Sequence, residues 1–481
     1  MKKIFTLITV AVFCISTYAQ EVLPQKWIKT ASNYTWCTGN NQRDIAYYDG
    51  KIYIQDYGAA AGKFIRVINA TNGAEESSIN TGGTGFSMAV TDAGTILYTM
   101  GAYGMTDLIN VNKWVSNAAV SISGGSTAIT GTGRIDYINV YGDFEGTSGS
   151  YVIGATISGA DNILIWEAEN GLMKNPGNPL KLSGVRGTGG FATGADCFPI
   201  NDNTFWVAGQ NRLPIRVTFD KVNKTFGTEE FSGTVKPNVT SGSSGVAEFT
   251  LKGKTYVVCA ENQYGSVGVY DITDGLSSAV LFRAQTTNIG SVPNGSYHVP
   301  IKLNATENSV DIFVYAPNNG IAVYEAVAVE DPVFSPTERT YEGTNLDVSI
   351  VCGTPGAEIR YTTDGTPPTS SSSLYSGAIT LSEGETTIKV LATATGFFPN
   401  LTEATYTVTP ATGLNEVKTN YNILRTTSGV EITLNRAATI ELFSLSGQLI
   451  EKTTATGRYS RDLDNGMYII RVNGEAVKFV K

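Results

Sequence analysis

The chain has 481 residues, of which 52 are glycine and 16 are proline, and only 16% are charged. Typical soluble domains carry about 25% charged residues and about 7% glycine, so this composition favours short strands joined by tight turns. The single histidine, His298, excludes zinc sites built from two or three imidazoles of one chain. The 34 basic residues do not outnumber the 43 acidic ones, which argues against a nucleic acid as partner.

The N-terminus has the pattern of an export signal. Lys2 and Lys3 precede an apolar run over residues 4–15, and small residues up to Ala19 suit a signal peptidase. We therefore expect residues 1–19 to be a signal peptide that is removed. The apolar run is shorter than the about 20 residues of a membrane-spanning helix, and no later segment approaches that length, so no transmembrane segment is predicted after signal removal.

Four cysteines remain after that cleavage, far apart and without the CxxC spacing of a metal cluster. Most of them lie in apolar, strand-like runs, where a buried free cysteine behaves as a small hydrophobic residue. Core packing is the expectation, although export also permits a disulfide. The four are Cys37, Cys197, Cys259 and Cys352.

A structural unit recurs six times over residues 40–325. Each unit has a glycine-rich lead-in, a first strand, a turn, a second strand with an aromatic or β-branched centre, and a third strand. The predicted second strands are 51–54, 95–98, 150–153, 204–207, 255–258 and 311–314. The predicted third strands are 64–67, 108–111, 163–166, 215–218, 267–270 and 321–324.

A repeat of about 40 to 60 residues with about four short strands is typical of a β-propeller blade. The sequence therefore predicts an all-β chain with a six-bladed β-propeller over residues 20–330. The strand at residues 26–30 is expected to complete the sixth blade, because the sixth unit runs directly into the next domain. Seven blades are the alternative, if the stretch between units three and four contains one more.

Residues 331–410 are predicted to form a small antiparallel sandwich, since short strands alternate with Gly, Pro and Ser. The segments PVFSP (332–336) and AEIRYTTDGTPPT (357–369), followed by residues 374–375 and 387–390, resemble the C-terminal domain of chitobiase and β-hexosaminidase. The resemblance implies an immunoglobulin-like accessory module without catalytic residues, attached to secreted carbohydrate-active and surface proteins.

The last segment, residues 411–481, is predicted to form another small β-sandwich. Its blocks IELFSLSGQLI (440–450), LDNGMYIIRV (463–472) and VKFVK (477–481) resemble the C-terminal sorting domain of type IX secretion substrates. The resemblance implies the type IX secretion machinery as a partner, export across both membranes, and removal of the tail with release or attachment to surface glycolipid. The alternative is an ordinary sandwich, because Ser-Gly-Gln and Asn-Gly are also plain hairpin turns.

The innermost strands of a propeller begin at one end of its channel, where loops from every blade converge. Aligning the lead-ins places four carboxylates, a methionine and the histidine at that entrance, with two arginines beside them. We predict that these residues bind a ligand. They are Asp44, Met88, Asp136, Asp196, Glu248 and His298, flanked by Arg43 and Arg134.

Three interpretations of this set remain open. Carboxylates about 5 to 9.5 Å apart can act as acid and base in glycoside hydrolysis. A ring of Asp44, Asp136, Asp196 and Glu248 can instead hold calcium, which takes six to eight oxygen ligands. Polar side chains at strand starts can also satisfy backbone N–H groups or meet solvent. No cofactor other than calcium is predicted, and no residue is assigned a catalytic role.

The sequence favours a non-catalytic recognition protein, exported to the cell surface or the extracellular space, that binds a glycan or a peptide at the channel entrance. The chitobiase-like module connects the chain to carbohydrate by association only. A glycoside hydrolase or lyase that uses paired carboxylates is the alternative.

Overall fold

A computed structural model describes most of the chain, and it is built of strands with two short 3-10 turns at Ala31–Asn33 and Leu276–Ser278. Nothing in the described part is an α-helix, so the predicted all-β class is confirmed. The described residues are 21–39, 42–56, 64–81, 87–99, 105–106, 108–115, 118–125, 127–129, 134–147, 149–157, 162–187, 190–239, 244–295, 298–410 and 421–481. The predicted signal peptide lies outside them.

The strands before residue 330 occur at short, regular intervals. In chain order they are β1 (Glu21–Val22), β2 (Gln25–Thr30), β3 (Gln42–Tyr48), β4 (Lys51–Asp56), β5 (Phe64–Asn69), β6 (Glu75–Asn80), β7 (Met88–Val90), β8 (Ile96–Thr99), β9 (Met105–Thr106), β10 (Leu108–Ile109), β11 (Val111–Val115), β12 (Ala118–Ser121), β13 (Thr127–Ala128), β14 (Arg134–Tyr141) and β15 (Ser150–Ile157). They continue with β16 (Asn162–Glu169), β17 (Leu172–Met173), β18 (Leu180–Ser183), β19 (Asp196–Asn201), β20 (Thr204–Gly209), β21 (Arg212–Asp220), β22 (Thr225–Glu230), β23 (Val246–Leu251), β24 (Lys254–Ala260), β25 (Val267–Asp271), β26 (Val280–Gln285), β27 (Ile301–Ala305), β28 (Ser309–Ala316) and β29 (Gly320–Val327).

Six sheets of four or more strands contain nearly all of these elements. We call the strand of each sheet that begins the repeat unit its first strand, and we number the sheets one to six by these strands in chain order. The first strands are β3, β7, β14, β19, β23 and β27. Their strand orders are β3-β4-β5-β6, β7-β8-β11-β12, β9-β14-β15-β16-β17 with β18 also on β16, β19-β20-β21-β22, β23-β24-β25-β26-β1, and β27-β28-β29-β2. A separate two-stranded sheet pairs β10 with β13.

The first strands of the six sheets contact one another in a closed cycle. Around this cycle β3 contacts β7, β7 contacts β14, β14 contacts β19, β19 contacts β23, β23 contacts β27, and β27 returns to β3. Residues on these six strands therefore share one interior, although they are far apart in the sequence.

The N-terminal strand joins the sixth sheet, as the sequence predicted. In β2, Trp27 lies opposite Val323 and Ile28 lies opposite Ala322 of β29. The stretch between the third and fourth units adds β17 and β18 to the third sheet, so in the described residues it holds no seventh sheet. The parallel pairing of β1 with β26 was not predicted, since a strand of two residues has no periodicity to read.

The second strands of the sheets are largely buried, and the last strands of sheets one, two and four are largely exposed. All residues of β20 (Thr204–Gly209) are buried, as expected for a strand covered on both faces. The outer β22 (Thr225–Glu230) is almost entirely exposed. Apolar residues of neighbouring sheets pack face to face; Ile45 and Ile54 of sheet one, for example, share a core with Phe313 of sheet six. This packing fixes the first strands around the common interior.

The strands from residue 331 to residue 409 form two further sheets with orders β30-β32-β35 and β31-β37-β36-β33-β34. They are β30 (Val333–Ser335), β31 (Thr340–Glu342), β32 (Asn345–Val351), β33 (Glu358–Thr362), β34 (Ser373–Leu374), β35 (Ile379–Ser382), β36 (Gly384–Thr393) and β37 (Asn400–Thr409). The described residues up to Thr340, together with Asn345–Thr407, form one compact unit.

A second compact unit contains Tyr341–Thr344 and the described residues from Val408 onwards. Its last five strands make one sheet in the order β38-β39-β41-β42, with β40 also paired to β39. They are β38 (Tyr421–Arg425), β39 (Gly429–Ser444), β40 (Leu449–Asp462), β41 (Met467–Val472) and β42 (Glu475–Val480).

Candidate functional site at the common interior

The six residues aligned in the sequence do not share one strand register. The last residue of each predicted second-strand segment gives a common reference position, which is the residue that it pairs with on the first strand. These first-strand residues are Ile45, Met88, Asn139, Cys197, Ala247 and Ile301. Asp44 and Asp196 each precede this position by one residue, whereas Glu248 follows it by one. His298 and Asp136 precede it by three, and β14 has a bulge between Ile135 and Ile138. The predicted single ring is therefore wrong in register, because a difference of two residues moves a side chain about 7 Å along the strand on the same face, and a difference of one turns it to the other face.

Asp44, Asp196 and His298 nevertheless meet inside the cycle of first strands. One ligand atom from each lies within 4.8 Å of the others. His298 Nε2 is 3.5 Å from Asp196 Oδ2 and 4.0 Å from Asp44 Oδ1. All three side chains have 0% exposure. Sheets one, four and six thus contribute one polar group each to a shared, buried point.

The Asp44 carboxylate is oriented by three donors. The backbone N–H of Ile45 donates to Oδ1 at 2.9 Å. Ser87 Oγ donates to Oδ2 at 2.7 Å, and the backbone N–H of Met88 donates to the same oxygen at 3.1 Å. Met88 therefore contributes its backbone to the site, while its side chain packs in an apolar core.

The Asp196 carboxylate is held by the neighbouring sheet. Asn139 Nδ2 donates to Oδ1 and Oδ2 at 3.0 and 3.2 Å, and the backbone N–H of Cys197 donates to Oδ1 at 2.8 Å. Lys302 Nζ in turn donates to Asn139 Oδ1 at 2.6 Å. A chain of hydrogen bonds thus crosses the interior from sheet six through sheet three to sheet four.

The His298 imidazole is oriented by a hydroxyl and an aromatic ring. Its Nδ1 lies 2.9 Å from Ser244 Oγ, and its ring stacks on Tyr137 with a centroid separation of 4.0 Å. Asn294 Nδ2 donates to the His298 backbone carbonyl at 2.7 Å. The other ring nitrogen, Nε2, has no hydrogen-bond partner although it is buried.

Burial dominates the electrostatics of this cluster. Burial raises the pKa of Asp44, and the charge of Lys302 opposes this rise. The pKa of Asp196 is raised well above its usual value, first by burial and then by the nearby Asp44. Burial, followed by the charges of Lys302 and Arg43, lowers the pKa of His298 well below its usual value. The imidazole is therefore neutral at physiological pH, and one of its ring nitrogens carries a lone pair.

The other predicted carboxylates are tied to arginines. Arg134 Nε lies 2.7 Å from Asp136 Oδ1. Glu248 accepts from Arg216 Nη2 at 3.2 Å and from Trp206 Nε1 at 2.9 Å, while burial raises its pKa. Neither carboxylate belongs to the Asp44 group, so the described residues do not assemble the four predicted calcium ligands.

Arg43 and Tyr137 lie beside the cluster. Arg43 is buried, and its positive charge opposes the rise in the pKa of Tyr137 that burial causes. Two cations, Arg43 and Lys302, thus accompany the two carboxylates of the cluster.

A cavity of about 280 Å³ lies further along the first strands. Every one of the six first strands lines it. The polar lining groups are Asn139, Glu248 and Lys302, and the aromatic ones are Tyr47 and Phe198. The remaining walls are aliphatic or proline residues. Most of the accessible lining surface is polar, so the cavity offers hydrogen-bonding groups from three first strands that converge on one space.

Sequence reasoning did not assign Ser87, Asn139, Ser244 and Lys302 to the site. Lys302 carries the strongest available signal, because a charged residue interrupts the apolar run from Val299 to Leu303. The hydroxyl and amide residues have no such signal, since polar residues are common at strand starts.

The four cysteines of the described part are all free thiols. Cys37, Cys197 and Cys259 are buried, in agreement with the expected core packing, and Cys352 is half-buried. A search of the described residues for a helix long and apolar enough to cross a membrane finds none.

Residues 336–407 match the Chitobiase/beta-hexosaminidase C-terminal domain family, which confirms the resemblance noted for this module. No curated protein matches the chain in sequence. The match covers the accessory module alone, and the residues of the common interior are therefore interpreted from their own geometry.

Several solved structures match parts of the chain at low identity, each with a TM-score below 0.5. A DUF4623 family protein from Bacteroides eggerthii has 11% identity and a TM-score of 0.45, covering 63% of this chain and 76% of that one. The extracellular domain of a hybrid two component system from B. thetaiotaomicron has 10% identity and a TM-score of 0.37, covering 81% and 58%. A functionally unknown protein from Desulfotomaculum acetoxidans has 11% identity and a TM-score of 0.38, covering 60% and 90%.

Proposed function

We propose that this chain is an exported recognition protein that binds a glycan in a cavity at the centre of a six-bladed β-propeller. The closed cycle of six first strands supports the propeller, because four-stranded sheets arranged radially place their first strands around a common axis. The binding function depends on one observation: all six first strands line a single cavity around Asn139, Glu248 and Lys302.

The chemistry of the cavity suits a sugar. A pyranose has hydroxyls around its rim and apolar C–H groups on its faces. The Glu248 carboxylate can accept from hydroxyls, and the Lys302 ammonium can donate to them. The rings of Tyr47 and Phe198 offer apolar surface for a sugar face. A surface peptide is the other ligand that the sequence predicts, and the experiment below separates the two.

Binding is favoured over hydrolysis by the position of the carboxylates. Glycoside hydrolysis ordinarily needs two carboxyl groups that flank the substrate, about 5 to 9.5 Å apart. Glu248 is the sole carboxylate among the described residues that line the cavity. Asp44 and Asp196 are fully buried, and Asp136 is paired with Arg134. The hydrolase or lyase alternative therefore lacks a second carboxylate in the described lining of the cavity.

The route to the surface is part of the same proposal. Residues 1–19 are proposed to direct export across the inner membrane, and residues 411–481 to direct passage through the type IX machinery to the cell surface or beyond. The order and spacing of the three sorting-like blocks support this route. The module that matches the chitobiase family is proposed as a spacer or a second carbohydrate binder.

A glycan array probed with the protein from residue 20 onwards tests the binding function. Glu248→Gln removes the charge of the cavity carboxylate with little change in shape, and Tyr47→Leu removes an aromatic wall. Glu229→Gln is the matched control, because Glu229 also pairs with Arg216, at 3.5 Å, but is 65% exposed and outside the cavity.

We expect the wild type and Glu229→Gln to bind the same glycans, and both cavity variants to bind them at least tenfold more weakly. Absence of glycan binding by the wild type, or equal binding by all four proteins, contradicts the proposal. Binding of a peptide library with the same dependence on Glu248 would replace the glycan by a peptide as ligand.

A further inference from the structure

We infer that Asp44, Asp196 and His298 bind a divalent transition-metal ion of the zinc class, which joins sheets one, four and six across the common interior. None of the three residues lines the cavity proposed to bind a glycan. This inference is therefore independent of the proposed function.

The separations between the ligand atoms fit a single ion. Zinc lies about 2.0 to 2.2 Å from nitrogen and oxygen ligands, so two ligands of a tetrahedral ion are about 3.4 Å apart. His298 Nε2 is 3.5 Å from Asp196 Oδ2, close to that separation, and 4.0 Å from Asp44 Oδ1. Asp44 Oδ1 would move about 0.6 Å toward Nε2 to reach that spacing, and the three ligand atoms already lie within 4.8 Å of one another.

The imidazole is prepared to act as a ligand. In the tautomer that donates Nδ1–H to Ser244 Oγ, the lone pair of His298 lies on Nε2, which faces both carboxylates. That atom is buried and has no hydrogen-bond partner. A buried nitrogen with no partner is rare, and a metal ion supplies one. Tyr137, stacked on the ring, prevents the imidazole from tilting away.

The carboxylates are oriented as metal ligands usually are. Outer hydrogen-bond partners commonly fix the rotamers of metal-binding side chains. Ser87 and the backbone of Met88 perform this role for Asp44. Asn139 and the backbone of Cys197 perform it for Asp196. Each oxygen that faces His298 Nε2, Asp44 Oδ1 and Asp196 Oδ2, accepts one of these hydrogen bonds and retains a lone pair for an ion.

Ligand type favours zinc over calcium. Calcium takes six to eight oxygen ligands and no imidazole. Zinc and its neighbours in the Irving–Williams order bind imidazole nitrogen strongly, and three protein ligands with one water complete a tetrahedral zinc site.

The test uses the protein from residue 20 onwards, in a Cys352→Ser background, because the thiol of Cys352 is half-buried and could bind zinc by itself. The protein is stripped with a chelator, incubated with zinc or calcium, and dialysed. Bound metal is counted by elemental analysis, and the melting temperature is measured with each ion. Cobalt substitution then reports the ligand set by its visible absorption.

We expect one retained zinc per chain, a higher melting temperature with zinc than with calcium, and a cobalt spectrum typical of nitrogen and oxygen ligands. Asp196→Asn and His298→Gln should lower zinc affinity at least tenfold. Asp202→Asn, an exposed carboxylate in a hairpin turn, is the control and should retain the metal.

Three results overturn the inference: no zinc retained by the parent protein, zinc retained equally by Asp196→Asn and His298→Gln, or stabilisation by calcium instead of zinc. If His298→Gln does not fold, Asp44→Asn and Asp196→Asn decide the question, because both keep the size of the side chain.

Discussion

The guanidinium of Arg283, in β26, lies 4.7 Å from the ring centroid of Phe398, in the module that matches the chitobiase family. Arg283 is only 1% exposed. It donates to the backbone carbonyls of Gly396 and Phe397 at 3.0 and 2.8 Å, and to Glu21 at 2.7 Å. Phe398 is itself fully buried in a core made by sheets five and six. The accessory module is therefore anchored to the sheets that precede it.

This anchor predicts that the module stabilises the preceding sheets. Phe398→Ala should lower the free energy of unfolding by about 3 to 5 kcal/mol, because it leaves a cavity in a core shared by both parts. The measurement is guanidinium-induced unfolding, followed by tryptophan fluorescence. Phe397→Ala is the control and should cost less than about 1 kcal/mol, since that side chain is half-exposed. An unchanged midpoint for Phe398→Ala would show that the two parts unfold independently.

A second prediction concerns Asn139, which connects Asp196 with Lys302. Asn139→Ala removes a donor from a buried carboxylate and the acceptor of a part-buried ammonium. We expect a loss of about 3 kcal/mol in the free energy of unfolding, because charged groups left without partners in an interior are strongly unfavourable.

Asn304→Ala is the comparison for that measurement, since Asn304 is half-exposed on β27, and it should change stability by less than about 0.5 kcal/mol. Equal effects of the two substitutions would mean that the hydrogen bonds of Asn139 to Asp196 and Lys302 do not contribute to the free energy of unfolding.

The strand repeat was predictable because it is local. Each unit alternates apolar and polar residues between turn signals, and the predicted second and third strands coincide with strands of the structure, except 108–111, which spans β10 and only the first residue of β11. The closing pairing of β2 with β29 was also predictable, because the sixth unit lacked an outer strand of its own.

The site was predictable only in part. The sequence singled out Asp44, Asp196 and His298, and these three do meet. It also placed Glu248 with them, and a register difference of two residues between the first strands separates that carboxylate from the group. Such a difference is invisible in the sequence, since it depends on where each strand pairs with its neighbour.

Long-range partners were likewise beyond sequence reasoning. Lys302 and Asn139 are 163 residues apart, and no periodicity connects them. From the sequence, Phe398 is expected to pack within the chitobiase-like module. In the structure it packs in the core formed by sheets five and six.

A third prediction follows from the proposed sorting tail. The protein recovered from the cell surface or the medium should end before residue 411, because type IX substrates usually lose this segment on export. Mass spectrometry of the intact extracellular protein checks the C-terminus directly. Recovery of extracellular protein that still ends at Lys481 contradicts the sorting role.

The last prediction uses the pKa of Glu248, which burial raises above the usual value of 4.5 despite the opposing charge of Arg216. The folded state then holds this proton more tightly than the unfolded state does. The protonated Glu248 carboxyl therefore contributes fully to the free energy of unfolding below pH 4.5. This contribution is lost as the pH rises through the higher pKa of the folded state. Ligand binding should change in the opposite direction, since the deprotonated carboxylate is the better acceptor for sugar hydroxyls.

Titration of wild type and Glu248→Gln separates these effects. Between pH 4.5 and neutrality, the stability of the wild type relative to Glu248→Gln should fall while its glycan affinity rises, and the affinity of the variant should stay flat. Glu229→Gln should follow the wild type in both measurements, because its exposed carboxylate lies outside the cavity. If the glycan affinity varies with pH equally in wild type and Glu248→Gln, the group that titrates is not Glu248. Glu248 would then serve only as a hydrogen-bond partner of Arg216 and Trp206.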